Sequence, residues 1–342
     1  SNLLKNVFRV KPKLHCYGHI HCFSSDTEIL TSEGWKSIHN INEDDIVINL
    51  NLKTGFLEKD EIIEVIRQKF TGKVLSVKSQ IINFITTLNH DLIDFNRNTP
   101  YKYKAFNIKD RASRKFKVSG ILKQDEYDIS DNELRLMIQC TTDGSYEGKA
   151  WRFHFKKERK IKRLISLLDE MNIDYSSHIQ SSGNTKIRFK YLFKIPPKPL
   201  NKEVLKFSKR QIDILFEEYY ITDGYRCKDT YRSFQINSSK KEEADLLQAL
   251  CVISGRRCCV SKRRNSENYT ISINESNDSS TIDTKAEYVK ILDYDDDVWC
   301  ITTKNTTVIS RREGKVLISG NSSPEGVLNA GTMKLANLDT IF

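Results

Sequence analysis

Residues 18–36 read GHIHCFSSDTEILTSEGWK. Two chemistries meet inside this stretch. Gly18-His19-Ile20-His21 is a metal-ligand pattern, two imidazoles one residue apart. Cys22 opens something different: a polar turn, the short alternating strand TEIL, and a Gly-Trp turn into a second strand. A metal motif that stops at its last ligand and gives way at once to a thiol marks a boundary in the chain.

Working outward, residues 22 to about 105 keep the two-residue period in TEIL, WKSI, DIVINL, KVLSV and INFITTL. From about 130 to 290 longer helical segments enter, among them KIKRLISLLDEM and EEADLLQAL. After 291 the strands return as VWCITT, TTVIS and KVLIS. A β region that is interrupted and then resumed predicts one domain inserted into a loop of another. The interruption carries an internal repeat. LRLMIQCTTDGSYEGKAWRFHFKKERKIKRLISLLDEM is followed by ILFEEYYITDGYRCKDTYRSFQINSSKKEEADLLQAL. Each copy has an apolar helix ending in Thr-Asp-Gly, then a strand, then a Lys-Lys-Glu helix start. Asp143 and Asp223 stand at equivalent points, and Leu167-Leu168 matches Leu246-Leu247. The segment PPKPL at 196–200 connects the halves of this pseudo-twofold unit.

The net charge of +10 is concentrated there: residues 101–290 hold 38 Lys/Arg against 26 Asp/Glu, the remainder 17 against 19. That is the distribution expected if the middle alone meets a polyanion, although a solvated lysine-rich surface gives the same count. The eight cysteines form no C-x-x-C pair, so a reduced, intracellular compartment is expected. No apolar run approaches the roughly 20 residues of a membrane helix, and the opening SNLLKNVFRVKPKL has no secretory core.

The far boundary is ISGNSSPEGVLNAG, 318–331. An Asn side-chain amide can attack its own backbone carbonyl, closing a succinimide and cutting the chain. Ser322 places a hydroxyl nucleophile directly after that bond, as Cys22 places a thiol at the other end. With the flanking motifs, these ends resemble an intein, a self-splicing insert. CFSSDTEILTSEGWK is similar to the opening block, TTLNHDL (86–92) to the T-x-N-H block through Thr87, Asn89 and His90, and VWCITTKNTTVISRREGKVLISGNS to the two closing blocks. The sequence departs from the pattern in two places. Gly320 stands where most inteins have the histidine that assists Asn cyclisation, and Cys300 replaces an acidic residue often found there.

The resemblance implies a mainly β Hint horseshoe with both ends at its centre, interrupted by a pseudo-twofold α+β domain. It divides the chain into an N-terminal flank (1–21), a splicing domain in two parts (22–115 and 291–321), an insert (116–290) and a C-terminal flank (322–342). It implies a single-turnover reaction without cofactor. Cys22 attacks the preceding amide, His90 serves as general acid, and Thr87 and Asn89 donate hydrogen bonds to the strained amide. Ser322 then takes over the acyl group and Asn321 cyclises.

The repeated Thr-Asp-Gly resembles the LAGLIDADG homing endonucleases, in which each of two packed helices brings a carboxylate to divalent metal beside DNA. Asp143 and Asp223 would then bind Mg²⁺, and Arg152, Arg188 and Arg232 would face double-stranded DNA. Lys156, Lys157 and Lys240 suit either helix starts or phosphate contacts. Small residues, usual at that helix crossing, are replaced by LMIQCTT and FEEYYIT, where Glu217, Glu218, Tyr219 and Tyr220 hinder close approach. Joining the flanks gives KPKLHCYGHIH–SSPEGVLNAGTMKLANL, which resembles the last metal block of a calcineurin-like metallophosphoesterase, with His19 and His21 as ligands in the joined host. His15, Cys16, His19, His21 and Cys22 would also offer zinc a site that blocks the thiol. A monomer is expected. The alternatives are a metallophosphoesterase with an unusual insertion and a DNA-binding, maturase-like protein.

Overall fold

The computed structural model describes residues 22–96, 99–226, 233–264 and 266–321. Strands dominate, and the four α-helices among the described residues all fall between Asp131 and Ile253. No helix among the described residues is long and apolar enough to cross a membrane.

The two ends of the β region build one body. Phe23–Ser24 is only two residues long, yet it lies between Asn83–Thr87 and Val289–Thr303, with Phe23 opposite both Thr86 and Trp299. Glu28–Thr31 pairs with Gly34–Ser37, Ile46–Leu50 and Thr307–Arg312, and the latter pairs along its length with Lys315–Gly320. These strands are buried on both faces, so neighbouring residues alike are apolar: Ile29, Leu30, Val47, Val308, Ile309 and Ile318 belong to one continuous core. The Trp299 indole N–H donates to Ser24 O at 2.9 Å, which fixes the opening of the chain to its closing segment.

One strand is longer than its sequence signal. Leu57–Lys78 runs 22 residues and pairs antiparallel with Val289–Thr303 from Ile62 to Val77. Its middle is a two-stranded ribbon with one face open to water and the other only half-buried through Ile66, Gln68 and Phe70, so hydrophobic alternation is weak there. Charge complementarity takes its place: Lys73 meets Asp293 at 2.6 Å and Lys69 meets Asp295 at 3.8 Å.

The insert repeats one topology. In the first copy the strand order is Ser145–Glu147, Ala150–Phe155, Thr185–Phe189, Tyr175–Ile179. In the second it is Tyr225–Arg226, Ser233–Ser238, Tyr269–Asn274, Arg257–Lys262, the same order in the sequence of each copy. The helices Asp131–Thr142 and Lys209–Thr222 pack together between the copies, started by the side chains of Ser130 and Ser208 as N-caps. The Asp-Gly after each helix has a steric cause. A Cβ on Gly144 would lie 2.9 Å from Cys140 Cα, and one on Gly224 2.6 Å from Tyr220 Cα.

Candidate functional site

Cys22 is 1% exposed at the head of its strand. Its backbone N–H, part of the His21–Cys22 peptide bond, donates to Thr87 Oγ1 at 3.1 Å, and Thr87 N–H returns a bond to Cys22 O at 3.0 Å. The sequence predicts Thr87 as a donor to this amide. Among the described residues its hydroxyl accepts from the amide nitrogen, because Thr87 closes the strand lying beside residue 22; the carbonyl of that amide belongs to residue 21, outside the described residues. The thiol packs with Val298 and Cys300 inside a shell of Ile66, Phe70 and Tyr294. Burial pushes its pKa well up, Cys300 adds to the rise, and a hydrogen bond with Gln68 opposes it. At neutral pH the sulfur is therefore a thiol, and any attack by it must release the proton.

His90 is fully buried. Its N–H donates to Thr87 O at 3.0 Å across a tight turn, and its ring meets Phe23 edge-on at 4.4 Å. Its Nε2 lies 3.0 Å from Ser319 Oγ. The imidazole thus sits between the strand that begins at Cys22 and the segment that ends at Asn321. Asn89 is exposed at the tip of that turn and makes no side-chain hydrogen bond among the described residues. The amide carbonyl it is expected to serve belongs to residue 21, outside the described residues; its place is that of an Asn in a turn, reversing the chain so that His90 points inward.

Asn321 is 2% exposed. Its N–H donates to Thr306 O at 3.2 Å, and its Nδ2 to Thr303 Oγ1 at 3.1 Å and Thr307 O at 3.4 Å. Its Oδ1 has no partner among the described residues. Cys300, packed on Cys22, and Thr303, bonded to Asn321, are three residues apart on one strand, ~10 Å. Gly320 has a packing reason: a Cβ there would lie 2.7 Å from Asp91 Cβ and 3.0 Å from Asp91 O. No histidine fits. Ser322, His15, Cys16, His19 and His21 lie outside the described residues.

In the insert, Asp143 and Asp223 come together around a residue that the sequence did not single out. Lys160 Nζ holds Asp143 Oδ1 and Oδ2 at 2.8 and 2.7 Å and lies 3.7 Å from Asp223 Oδ1. Burial raises the Asp143 pKa, and Lys160 opposes the rise. An ammonium between the carboxylates does not fit Mg²⁺, which would have to expel it. No group of three or more His, Cys, Asp or Glu side chains placed to hold a metal occurs among the described residues. The helix crossing is also polar. Glu218 is fully buried and accepts from Gln139 at 2.7 Å, Arg163 at 2.6 Å and Arg135 at 3.3 Å. The hindrance expected of Glu218 is thereby turned into a clamp. Arg152 and Arg188 stand directly opposite each other in the first sheet. Arg232 lies outside the described residues. Lys157 and Lys240 are the residues preceding two helices, without side-chain caps, and Lys156 is exposed beside Lys157.

Sequence reasoning also missed Thr303, Thr307, Asn49 and Gln68. Threonine and asparagine in alternating strands carry no local mark, and their partners are distant in the chain: Asn49 and Thr303 are separated by 254 positions.

No family model matches the chain. A curated relative, the ribonucleoside-diphosphate reductase subunit beta of Aquifex aeolicus (strain VF5), is 23% identical over 347 residues, covering 88% of this chain and 50% of the relative. The chain therefore spans about half the length of that relative. Similar solved structures include the N-terminal LAGLIDADG domain of DUF199/WhiA, at TM-score 0.32, 15% identity, 44% of this chain and 80% of that one. They also include an AceL NrdHF class 3 split intein, at TM-score 0.33, 8% identity, 88% of this chain and 99% of that one.

Proposed function

We propose that the chain excises its own residues 22–321 and joins its flanks. The observation that carries this reading is convergence: Cys22, His90 and Asn321, distant in sequence, are held by adjoining strands of one β body, with the His90 imidazole between the two ends.

The steps follow from the atoms at hand. Cys22 Sγ attacks the carbonyl carbon of residue 21; the S–C bond forms, the C–N bond breaks, the thiol proton passes to water, and His90 protonates the departing nitrogen. Thr87, by accepting the N–H of that amide, holds the nitrogen in line. Ser322 Oγ then attacks the thioester, its proton returning to the Cys22 sulfur. Asn321 Nδ2 attacks its own carbonyl carbon; one proton leaves Nδ2 for water, and the freed Ser322 amine takes one up. The amine finally displaces the ester oxygen, leaving a peptide bond between residues 21 and 322. Each step is intramolecular, so a monomer suffices and proximity supplies much of the rate.

The insert is proposed to contact double-stranded DNA. The excess positive charge of residues 101–290 and the opposed Arg152 and Arg188 support this, and binding should weaken steeply with salt. The splicing reading is tested by intact mass on incubation of the purified chain. It expects a joined-flank peptide and an insert ending in succinimide. Cys22→Ala should lose both products, and Asn321→Ala should retain hydroxylamine-induced cleavage before Cys22. A parent chain whose mass never changes would overturn it.

A further inference from the structure

The Asn321 carboxamide lacks the histidine neighbour that usually helps it cyclise, and Gly320 has no room for one. What holds the carboxamide instead is visible. Both Nδ2 hydrogens are engaged, one by Thr303 Oγ1 and one by Thr307 O. Thr303 Oγ1 also accepts from Asn49 Nδ2 at 3.0 Å, and its own hydroxyl hydrogen is directed to Thr307 O at 3.4 Å. With a hydrogen bond already arriving from Asn49 and its own hydrogen committed, the hydroxyl can serve Asn321 only as an acceptor. Asn49 is fixed in turn: Nδ2 donates to Asp60 Oδ2 at 2.9 Å, and Oδ1 accepts from Asn305 at 2.9 Å. Thr307 is tied to the same strand, its Oγ1 accepting from Leu50 N at 3.0 Å and donating to Leu50 O at 2.7 Å. Asn49, Thr303 and Thr307 are all fully buried.

We infer that Thr303, backed by Asn49 and Asp60, is the positioning device for Asn321 cyclisation in this chain, an inference that rests on the splicing reading. An amide nitrogen attacks with the electron pair perpendicular to its plane. Holding both N–H bonds in that plane therefore aims the pair. The same acceptors stabilise the positive charge that grows on nitrogen as the new N–C bond forms. The backbone is held as well. Lys102 Nζ binds Thr306 O at 3.0 Å and Thr306 Oγ1 at 2.8 Å, and that carbonyl takes the Asn321 N–H.

The test compares the two ends of the full chain. Thr303→Val removes the acceptor and keeps the shape; Thr303→Ser restores the hydroxyl. Release of the succinimide-ended fragment is followed by mass, and the Cys22 thioester by hydroxylamine cleavage. The expected result for Thr303→Val is at least tenfold slower release, accumulation of branched ester, and thioester formation within twofold of the parent. Thr303→Ser should release within threefold of the parent. Release unchanged in Thr303→Val, equal slowing of both ends, or failure of Thr303→Ser to rescue would each overturn the inference. A parent chain that forms no thioester would instead overturn the splicing reading on which it rests.

Discussion

Replacing Gly320 with the histidine that most inteins carry should impair the chain, although it supplies the missing imidazole. The new Cβ would sit 2.7 Å from Asp91 Cβ and 3.0 Å from Asp91 O. Carbon atoms prefer about 3.5–4.0 Å, so roughly an ångström must be found. Asp91 cannot easily yield it, because Asp91–Asp94 is hydrogen-bonded to Tyr101–Lys104 and Asp91 pairs with Lys104 at 2.8 Å. Overpacking of this kind costs about 1–3 kcal/mol, and losing glycine's freedom in the unfolded chain returns about 0.5. A net loss of about 1.5 kcal/mol corresponds, in a chain of this size, to a fall in Tm of roughly 2 °C. Asn321 is the next residue, and displacing it by an ångström should slow its cyclisation about 100-fold. Melting is measured in a background carrying both Cys22→Ala and Asn321→Ala, which blocks both cleavages, and C-terminal cleavage by intact mass otherwise. A Gly320→His chain that melts normally and cleaves as fast as the parent would refute the steric account of this glycine.

Because burial holds the Cys22 thiol above the usual thiol range, little thiolate exists at pH 7–9. Its alkylation by iodoacetamide should therefore rise about tenfold per pH unit through pH 9.5, and a plateau near pH 8.5 would contradict the buried thiol. Lys160→Gln removes the ammonium from Asp143 and Asp223 and should strengthen Mn²⁺ binding by calorimetry at least tenfold, a gain that Asp143→Asn should abolish. Arg311→Ala should lower stability by about 2–3 kcal/mol in denaturant unfolding of the Cys22→Ala chain, and a loss below about 0.5 would deny the docking role argued below.

The parts legible in the sequence were those whose signal is local. TTLNHDL sets Thr87 and His90 three residues apart, and the structure makes both face the Cys22 strand through one turn. The two Thr-Asp-Gly copies were legible because duplication repeats a motif, and their glycines prove to be steric necessities. The ribbon of Leu57–Lys78 was not, since a two-stranded ribbon with one wet face and one half-buried face imposes only a weak period. Charge marks it instead, with Lys69 opposite Asp297 and Lys73 opposite Asp293. Lys160 was hidden among neighbouring lysines and is distinguished only by what lies across from it. Thr303 and Asn49 act through contacts between strands far apart in sequence, which no window along the chain can show.

The sequence predicts a domain placed in a permissive loop, where closure cost grows slowly with length. The contacts argue for a firmer attachment. Arg311, buried on Thr307–Arg312, binds Glu28 of the β body at 2.7 Å and, from the insert's Lys241–Ile253 helix, Asp245 at 2.6 Å and Gln248 at 3.0 Å. Its guanidinium also lies 4.6 Å from the Trp35 ring centre. Beside it Gly314, at φ +72°, brings its carbonyl to Val260 N at 3.0 Å and Gln248 Nε2 at 2.8 Å, and a Cβ there would meet Val260 O at 2.1 Å. Cys259 and Lys315 extend the pairing, so one sheet crosses from insert to body. Removing one member of a buried charge cluster costs about 3–5 kcal/mol. Here Asp245 keeps Lys241 at 2.6 Å, and both carboxylates reach some water, which brings the expectation down to 2–3. An insert hanging from a loop would leave the body's stability indifferent to Arg311; one that completes its sheet and shares its core would not.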